Sequence, residues 1–97
     1  MDNFDFITTR RTKVIILYLN SNKDKNKAMI ISSVSRGTGT AYSHTSKIIS
    51  RLEDSGLVIA KKIGRIKAVT LSKKGRRFAQ NLEMIKKLWE DKQLKKE

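Results

Sequence analysis

GTAYSHTSKIISRLEDSGL, residues 39–57, is the stretch that decides the fold of this 97-residue chain. Its apolar and small side chains recur at the spacing of one face of a helix, which predicts that this face is buried. The face consists of Ala41, Thr45, Ile48, Ile49 and Leu52. The opposite face carries short hydroxyls and long cations, namely Ser43, Ser46, Lys47, Ser50 and Arg51. Such a polar face suits a helix that enters a DNA groove, so we interpret residues 40–54 as a recognition helix.

This helix is expected to end at Ser55 and Gly56, because glycine readily adopts the left-handed conformation that stops a helix. The segments LVIAKK and IKAVTLS follow, joined by a turn around Gly64. They predict a two-stranded hairpin over residues 57–71. Its far end concentrates like charges, which repel one another unless an anion lies opposite. These charges are Lys61, Lys62, Arg65 and Lys67, and we interpret the hairpin as a basic wing.

A second helix is predicted before the recognition helix, at residues 28–36. Its sequence AMIISSVSR places Ile30, Ile31 and Val34 on one side, and Gly37-Thr38-Gly39 follows as a tight turn. A short helix, a glycine turn and a longer helix with an exposed polar face form a helix-turn-helix arrangement.

The N-terminal part predicts a first helix at residues 8–20, after two threonines suited to capping. Its Val14–Leu19 run is apolar on more than one side, as in a strand or in a helix buried against a partner. Continuity with residues 8–13 favours the helix. The preceding Phe4, Phe6 and Ile7 either pack across a neighbouring molecule or belong to a frayed terminus with one or two side chains tucked in. Residues 20–27 lack apolar side chains and predict a solvent-exposed loop.

A long C-terminal helix is predicted at residues 72–94, with Ser72 as its cap. Phe78, Leu82, Ile85 and Trp89 are spaced by four, three and four residues, which is typical of a coiled-coil seam. Met84 and Leu88 widen the apolar stripe. We therefore expect this helix to pack on its own domain and to pair with a second copy of the chain.

Charge and length restrict the class of protein. Twenty-two Lys and Arg against nine Asp and Glu give a net charge of +13, which favours a polyanionic partner, and nucleic acid is the first candidate. The densest apolar run, Val14–Leu19, is far shorter than the roughly 20 residues of a membrane-spanning helix. We expect one domain over residues 1–97, a cytoplasmic location and no secretory signal peptide. The absence of cysteine excludes disulfides and thiolate zinc sites.

Catalysis has little support in the sequence. His44 is the single histidine, and no carboxylate lies in register with it on its helix. Glu53 and Asp54 are adjacent and so point in different directions. The glycines match neither a phosphate-binding loop nor a dinucleotide-binding motif. We expect no enzyme activity, no metal and no cofactor.

The order of elements, together with SKIISRLEDSGLV at residues 46–58 and VTLSKKGR at residues 69–76, resembles the winged helix-turn-helix family of MarR-like and PadR-like regulators. The resemblance covers nearly the whole chain. Ser72 stands where the family usually has threonine. The small size is similar to the compact members found in archaea, their viruses and their plasmids. The implied fold is α+β and mostly helical, with a two-stranded wing and a long C-terminal dimerisation helix.

The resemblance implies a two-fold dimer that binds double-stranded DNA at an approximately palindromic operator. In this assignment Ser43, His44 and Lys47 reach base edges, and Thr38, Thr40, Ser46, Ser50 and Arg51 hold phosphates. The cations of the wing add affinity that depends little on sequence. The dimer interface is assigned to Val14, Leu17, Tyr18, Phe78, Leu82, Ile85, Leu88 and Trp89.

Two other functions fit parts of the sequence. A chromatin-like architectural or partition protein, nucleoid-associated and of low sequence specificity, would also use a +13 charge and a hydroxyl-rich helix face. A protein-interaction module that uses only the last helix would not bind duplex DNA at physiological salt. A sequence-specific transcriptional regulator remains the first interpretation.

Overall fold

A computed structural model describes residues 4–22 and 28–91 of the chain. The helices of these residues are α1 (Phe4–Ile7), α2 (Arg10–Asn20), α3 (Ile31–Thr38), α4 (Tyr42–Asp54) and α5 (Lys73–Asp91), and the strands are β1 (Met29–Ile30), β2 (Val58–Ile63) and β3 (Ile66–Leu71). The predicted winged fold, α+β and mostly helical, is confirmed. Most of the loop predicted at residues 20–27, and the last three residues of the helix predicted to reach residue 94, lie outside the described residues.

The hydrophobic core lies between α2, the helix pair α3 and α4, one face of the sheet and the first half of α5. Its largest fully buried apolar side chains are Ile15, Ile16, Ile31, Val34, Ile49, Leu52 and Val69, and α5 contributes the fully buried Ala79. The apolar run Val14–Leu19 is therefore helical, and the alternative of a strand is wrong. None of the helices at residues 4–22 and 28–91 is long and apolar enough to cross a membrane.

Residues Phe4–Ile7 form the short helix α1, and two of the three apolar side chains expected here are tucked into the domain. Phe6 and Ile7 are buried, whereas Phe4 is 73% exposed. The hydroxyl of Thr9 donates to the carbonyl of Phe6 at 3.0 Å, and the hydroxyl of Thr12 lies 2.9 Å from it. The predicted first helix starts at Arg10 instead of residue 8, with Thr9 at its N-cap position but without a capping bond from the Thr9 hydroxyl.

The predicted second helix is wrong at its start. Met29 and Ile30 form strand β1, which pairs antiparallel with β3 at Val69 and Ala68, so α3 begins only at Ile31. Pairing with a strand almost 40 residues away outweighs the local helical spacing, because β structure depends on its neighbours more than on local preference. The predicted hairpin of β2 and β3 is present, and β1 extends it to a three-stranded sheet in the order β1-β3-β2.

The two glycines before α4 have different roles. Gly39 has a φ of 67° and ends α3 in the left-handed conformation. Gly37 lies inside α3, where an added Cβ atom would collide with the ring of Tyr18. Tyr18, assigned from the resemblance to the dimer interface, therefore packs within its own protomer against α3.

The two faces of the sheet have different environments. Val58, Val69 and Leu71 face the core and are buried. The outer face carries Ile59, Ile63 and Ile66, which are 56%, 65% and 49% exposed, and β2 is an edge strand. The wing is thus anchored by its inner face at the base and is open to solvent at its tip.

The base of the wing is fixed at a junction that joins α4, the hairpin and α5. We call Gly56, Leu57, Ser72 and Gly75 the wing junction. The Leu57 amide donates to the carbonyl of Leu52 at 2.9 Å, and the Leu57 carbonyl accepts from the Ser72 amide at 3.0 Å. The Ser72 hydroxyl donates to the Gly56 carbonyl at 2.7 Å and accepts from the Gly75 amide at 3.0 Å. Ser72 therefore caps α5, as predicted, and also ties it to the start of the wing.

Gly75 is required at the wing junction because its Cα lies directly against the Leu57 carbonyl. An added Cβ atom would collide with that backbone oxygen.

We expect Gly75→Ala to lower the free energy of unfolding by about 1–3 kcal/mol, the usual effect of overpacking, although alanine normally stabilises a helix relative to glycine. Urea denaturation of both proteins measures the change. The control Gln80→Ala, at an exposed position of the same helix, should change stability by less than about 0.5 kcal/mol. An equal or higher stability of Gly75→Ala would contradict the close approach.

Candidate nucleic-acid interface

Helix α4 has one buried face and one exposed face, in the predicted register. Thr45, Ile49 and Leu52 are fully buried, and Ile48 is half-buried. The exposed side carries Ser43, Lys47 and Ser50 as well as Arg51, while Ser46 is half-buried. The predicted place of Ala41 on the buried face is wrong, because α4 begins at Tyr42 instead of residue 40 and Ala41 is exposed just before it. The outer face of α4 is therefore a hydroxyl-rich and cationic surface that the core does not cover.

Side-chain hydroxyls hold the turn that leads into α4. The hydroxyl of Ser35 donates to the Thr40 carbonyl at 2.6 Å, and the buried hydroxyl of Thr45 donates to the Ala41 carbonyl at 3.0 Å. These bonds connect α3, the turn and α4, and they fix the direction of α4 relative to α3.

The Thr38 hydroxyl is also used within the protomer. It donates to the Val34 carbonyl at 2.8 Å. A contact with phosphate needs a donor, because a phosphate oxygen only accepts hydrogen bonds. The hydroxyl proton of Thr38, which is predicted to contact a phosphate, points to a carbonyl of α3 instead. Thr40 is half-buried in the same turn.

A cationic depression lies beside α4. We call it the basic hollow. It encloses about 440 Å³ and is lined by Arg11, His44, Ser46, Lys47, Ile48, Ser50 and Arg51. The Nη1 atom of Arg11 lies 2.9 Å from Nδ1 of His44. The hollow thus combines three cations and a histidine from two helices.

Sequence reasoning missed Arg10 and Arg11 as parts of this surface. Both lie in the first turn of α2, and both line a second depression with Thr38, Gly39 and Thr40. The sequence contains a signal that could have identified them. The helix macrodipole disfavours cations in the first turn of a helix, and α2 has two arginines and no acidic residue there. Two arginines at such a place indicate a role other than helix stabilisation.

Arg51 is held by an aromatic contact. Its guanidinium carbon lies 3.8 Å from the centroid of the Phe6 ring. A cation–π contact at a partly exposed site contributes about 0.5–1 kcal/mol. Arg51 thus keeps its charge at the surface of α4 while α1 restricts its position.

The cations of the wing are placed in two ways. Lys61, Lys62 and Arg65 are exposed. Lys67 is half-buried, and its Nζ atom lies 3.6 Å from a carboxylate oxygen of Glu53 in α4. Three wing cations are therefore open to a partner, whereas Lys67 links the hairpin to the end of α4.

The described residues contain no group of three His, Cys, Asp and Glu side chains that could hold a metal ion. The side chain that the structure places at Nδ1 of His44 is the guanidinium of Arg11, which is a cation. An acid–base dyad uses a carboxylate at this position to orient the ring. The geometry around His44 therefore differs from that of such a dyad.

Five of the eight residues assigned to a dimer interface lie together, and the other three lie elsewhere. One group lines a groove of about 380 Å³ between α2 and α5, and its members are Val14, Leu17, Leu82, Ile85 and Trp89. Phe78 lies instead in a depression with Phe4, Phe6 and Leu57, and Tyr18 packs on Gly37. Leu88 is 70% exposed and does not line the groove.

No protein-family model matches the sequence, and no curated protein matches it at a significant level. Solved structures are similar in fold. A protein designated AF1382 from Archaeoglobus fulgidus shares 20% identity with a TM-score of 0.76, over 87% of this chain and 93% of that one.

MepR is described as a transcription regulator of the Staphylococcus aureus multidrug efflux pump MepA. It shares 15% identity with a TM-score of 0.81, over 93% of this chain and 66% of that one. The S. aureus MepR–DNA complex matches with a TM-score of 0.75 at 15% identity, over 93% of this chain and 73% of that one. Helix α4, the wing and the long α5 together give this chain the winged helix-turn-helix fold of MarR-like transcription regulators.

Proposed function

We propose that this protein is a sequence-specific, double-stranded DNA-binding transcriptional regulator that acts as a homodimer in the cytoplasm, on the nucleoid. Helix α4 would occupy the major groove, and the wing would contact the flanking backbone or minor groove. The observation that carries the proposal is the exposed polar face of α4, bordered by cations from α2 and from the wing. The MepR–DNA complex, a solved structure of the same fold, supports DNA as the polyanion.

The contacts divide by chemistry. Lys47, Ser43 and His44 lie on the exposed side of α4 and have the groups that reach base edges. The exposed wing cations Lys61, Lys62 and Arg65 suit phosphates, which give affinity with little sequence information. Arg10 and Arg11 extend the cationic border at the beginning of α4, and Arg51 lies on the exposed side of this helix. Regulation would follow from occupying promoter DNA, without catalysis and without a cofactor.

An architectural or partition protein of low sequence specificity is the second candidate. It is favoured by one observation, namely that the exposed face of α4 offers one lysine, one arginine and several hydroxyls, and neither asparagine nor glutamine. The bidentate side chains that discriminate bases most strongly are therefore few.

Selection of bound sequences from a random duplex pool separates these two candidates. A dimeric regulator should enrich an approximate palindrome whose half-sites lie about one helical turn apart. Its discrete complex in a gel shift should persist under excess unrelated competitor DNA. Loss of the complex to competitor, with no enriched sequence, would favour the architectural protein. Absence of duplex binding at physiological salt would reject both candidates.

Lys47→Ala and Arg65→Ala should have different effects on DNA binding. Lys47→Ala removes a base contact and should weaken binding to the selected site more than to random duplex. Arg65→Ala removes a phosphate contact, so it should weaken both similarly and lower the salt slope of binding by about one. Titrations of both duplexes at several salt concentrations measure these effects. An equal loss on both duplexes for Lys47→Ala would contradict its assignment to base reading.

The proposed dimer would use the groove between α2 and α5. Met84 and Ile85 are 64% and 62% exposed, so this half of α5 presents apolar surface of the kind that marks an interface. We expect Ile85→Asp to yield monomers in analytical ultracentrifugation, because a charge would be buried in the interface without a partner. Gln80→Asp, at an exposed position of α5 that does not line the groove, should leave the dimer intact. An unchanged dimer of Ile85→Asp would place the interface elsewhere.

A further inference from the structure

The contact between Arg11 and His44 determines the chemistry of a side chain on the DNA-facing helix. Arg11 lies in the first turn of α2, outside the helix-turn-helix, and His44 lies in the first turn of α4. Their side chains meet at 2.9 Å between Nη1 and Nδ1, although the residues are 33 positions apart. Both are exposed, so the pair is part of the molecular surface.

The direction of this hydrogen bond follows from the two groups. A guanidinium has only donors, so Nδ1 of His44 must be the acceptor and cannot carry a proton. The proton of the neutral ring is then on Nε2, the ring nitrogen farther from the helix. Arg11 therefore selects one of the two tautomers of His44 and also limits rotation of the ring.

A histidine fixed in this way is a hydrogen-bond donor to whatever lies outside α4. In the major groove the matching groups are guanine N7 and O6, adenine N7 and thymine O4. Cytosine presents an amino donor there, which cannot accept from Nε2. Without Arg11, either ring nitrogen can hold the proton, so His44 can also present an acceptor and tolerate cytosine.

We infer that Arg11 is a positioning residue that fixes His44 as a donor, so that α4 favours a base with a major-groove acceptor over cytosine at the contacted position. The inference rests on the proposed function, and it deepens that function by adding a specificity determinant from α2. Arg11 thereby acts on base choice through His44 and not through a base contact of its own.

The first test measures base preference with a double-mutant cycle. The position read by His44 is the one at which His44→Ala loses discrimination in selected duplexes. The wild-type protein should prefer an acceptor base over cytosine there by about tenfold, the range of one hydrogen bond with its desolvation. Arg11→Met should reduce this ratio to about twofold or less, and should change it no further in the His44→Ala background.

The matched control is Arg10→Met, which removes the neighbouring charge of α2 without touching His44. It should weaken binding to all duplexes similarly and leave the base preference unchanged. If Arg11→Met behaves like Arg10→Met, Arg11 is only a phosphate contact and the inference fails. If Arg11→Met still lowers discrimination in the His44→Ala background, it does not act through His44, and the inference also fails.

The second test needs no DNA and so separates this inference from the proposed function. The chain has one histidine, so ¹⁵N-histidine labelling of the full chain reports on His44 alone. Above the usual titration range of histidine, the two ring nitrogens should show the proton on Nε2 in the wild type. Arg11→Met should shift the Nδ1 signal and populate the other tautomer, whereas Arg10→Met should not. A wild-type proton on Nδ1, or ring signals unchanged in Arg11→Met, would overturn the inference even if the protein binds DNA as proposed.

Discussion

The carbonyl group of Leu57 is the point on which the placement of the wing depends. It accepts a hydrogen bond from the Ser72 amide, and the Cα of Gly75 lies directly against it, so α5 meets the beginning of β2 with no side chain between them. The amide of the same residue closes the end of α4 by bonding to the Leu52 carbonyl. The backbone of this one residue thus contacts α4, the segment that leads into α5, and α5 itself, and this arrangement sets the distance between α4 and the wing.

The surface of α4 depends on similar local bonds at its other end. Ser35 and Thr45 bond to carbonyls of the turn, so the direction of the helix is set before its outer face is used. Its exposed side chains are then restrained by neighbours outside the helix-turn-helix. Phe6 lies under Arg51, Arg11 contacts His44, and Glu53 at the far end pairs with Lys67 of the wing. The exposed surface around α4 is therefore built by side chains of α1, α2 and the wing as well as by α4 itself.

Local signals in the sequence predicted most of the fold. The register of α4, the left-handed Gly56 after it, which has a φ of 80°, the hairpin and the Ser72 cap each depend on residues close together in the chain. Strand β1 was not predicted, because Met29 and Ile30 also fit a helical pattern, and only pairing with β3 makes them a strand. The contact of Arg11 with His44 and the packing of Tyr18 on Gly37 were missed for the same reason. Each joins residues whose proximity exists only after α2 has packed against α3 and α4.

The lysines of β2 also affect how this edge strand can pair with other molecules. An edge strand has unpaired backbone groups, and here its outer face also carries the exposed isoleucines Ile59 and Ile63. Such a strand would pair readily with the same strand of another molecule, but Lys61 and Lys62 would place like charges side by side in that pairing. The charge of the wing would therefore oppose edge-to-edge pairing of two wings. If a polyanion neutralised this charge, that repulsion would fall, so the same two lysines would couple anion binding to pairing between wings.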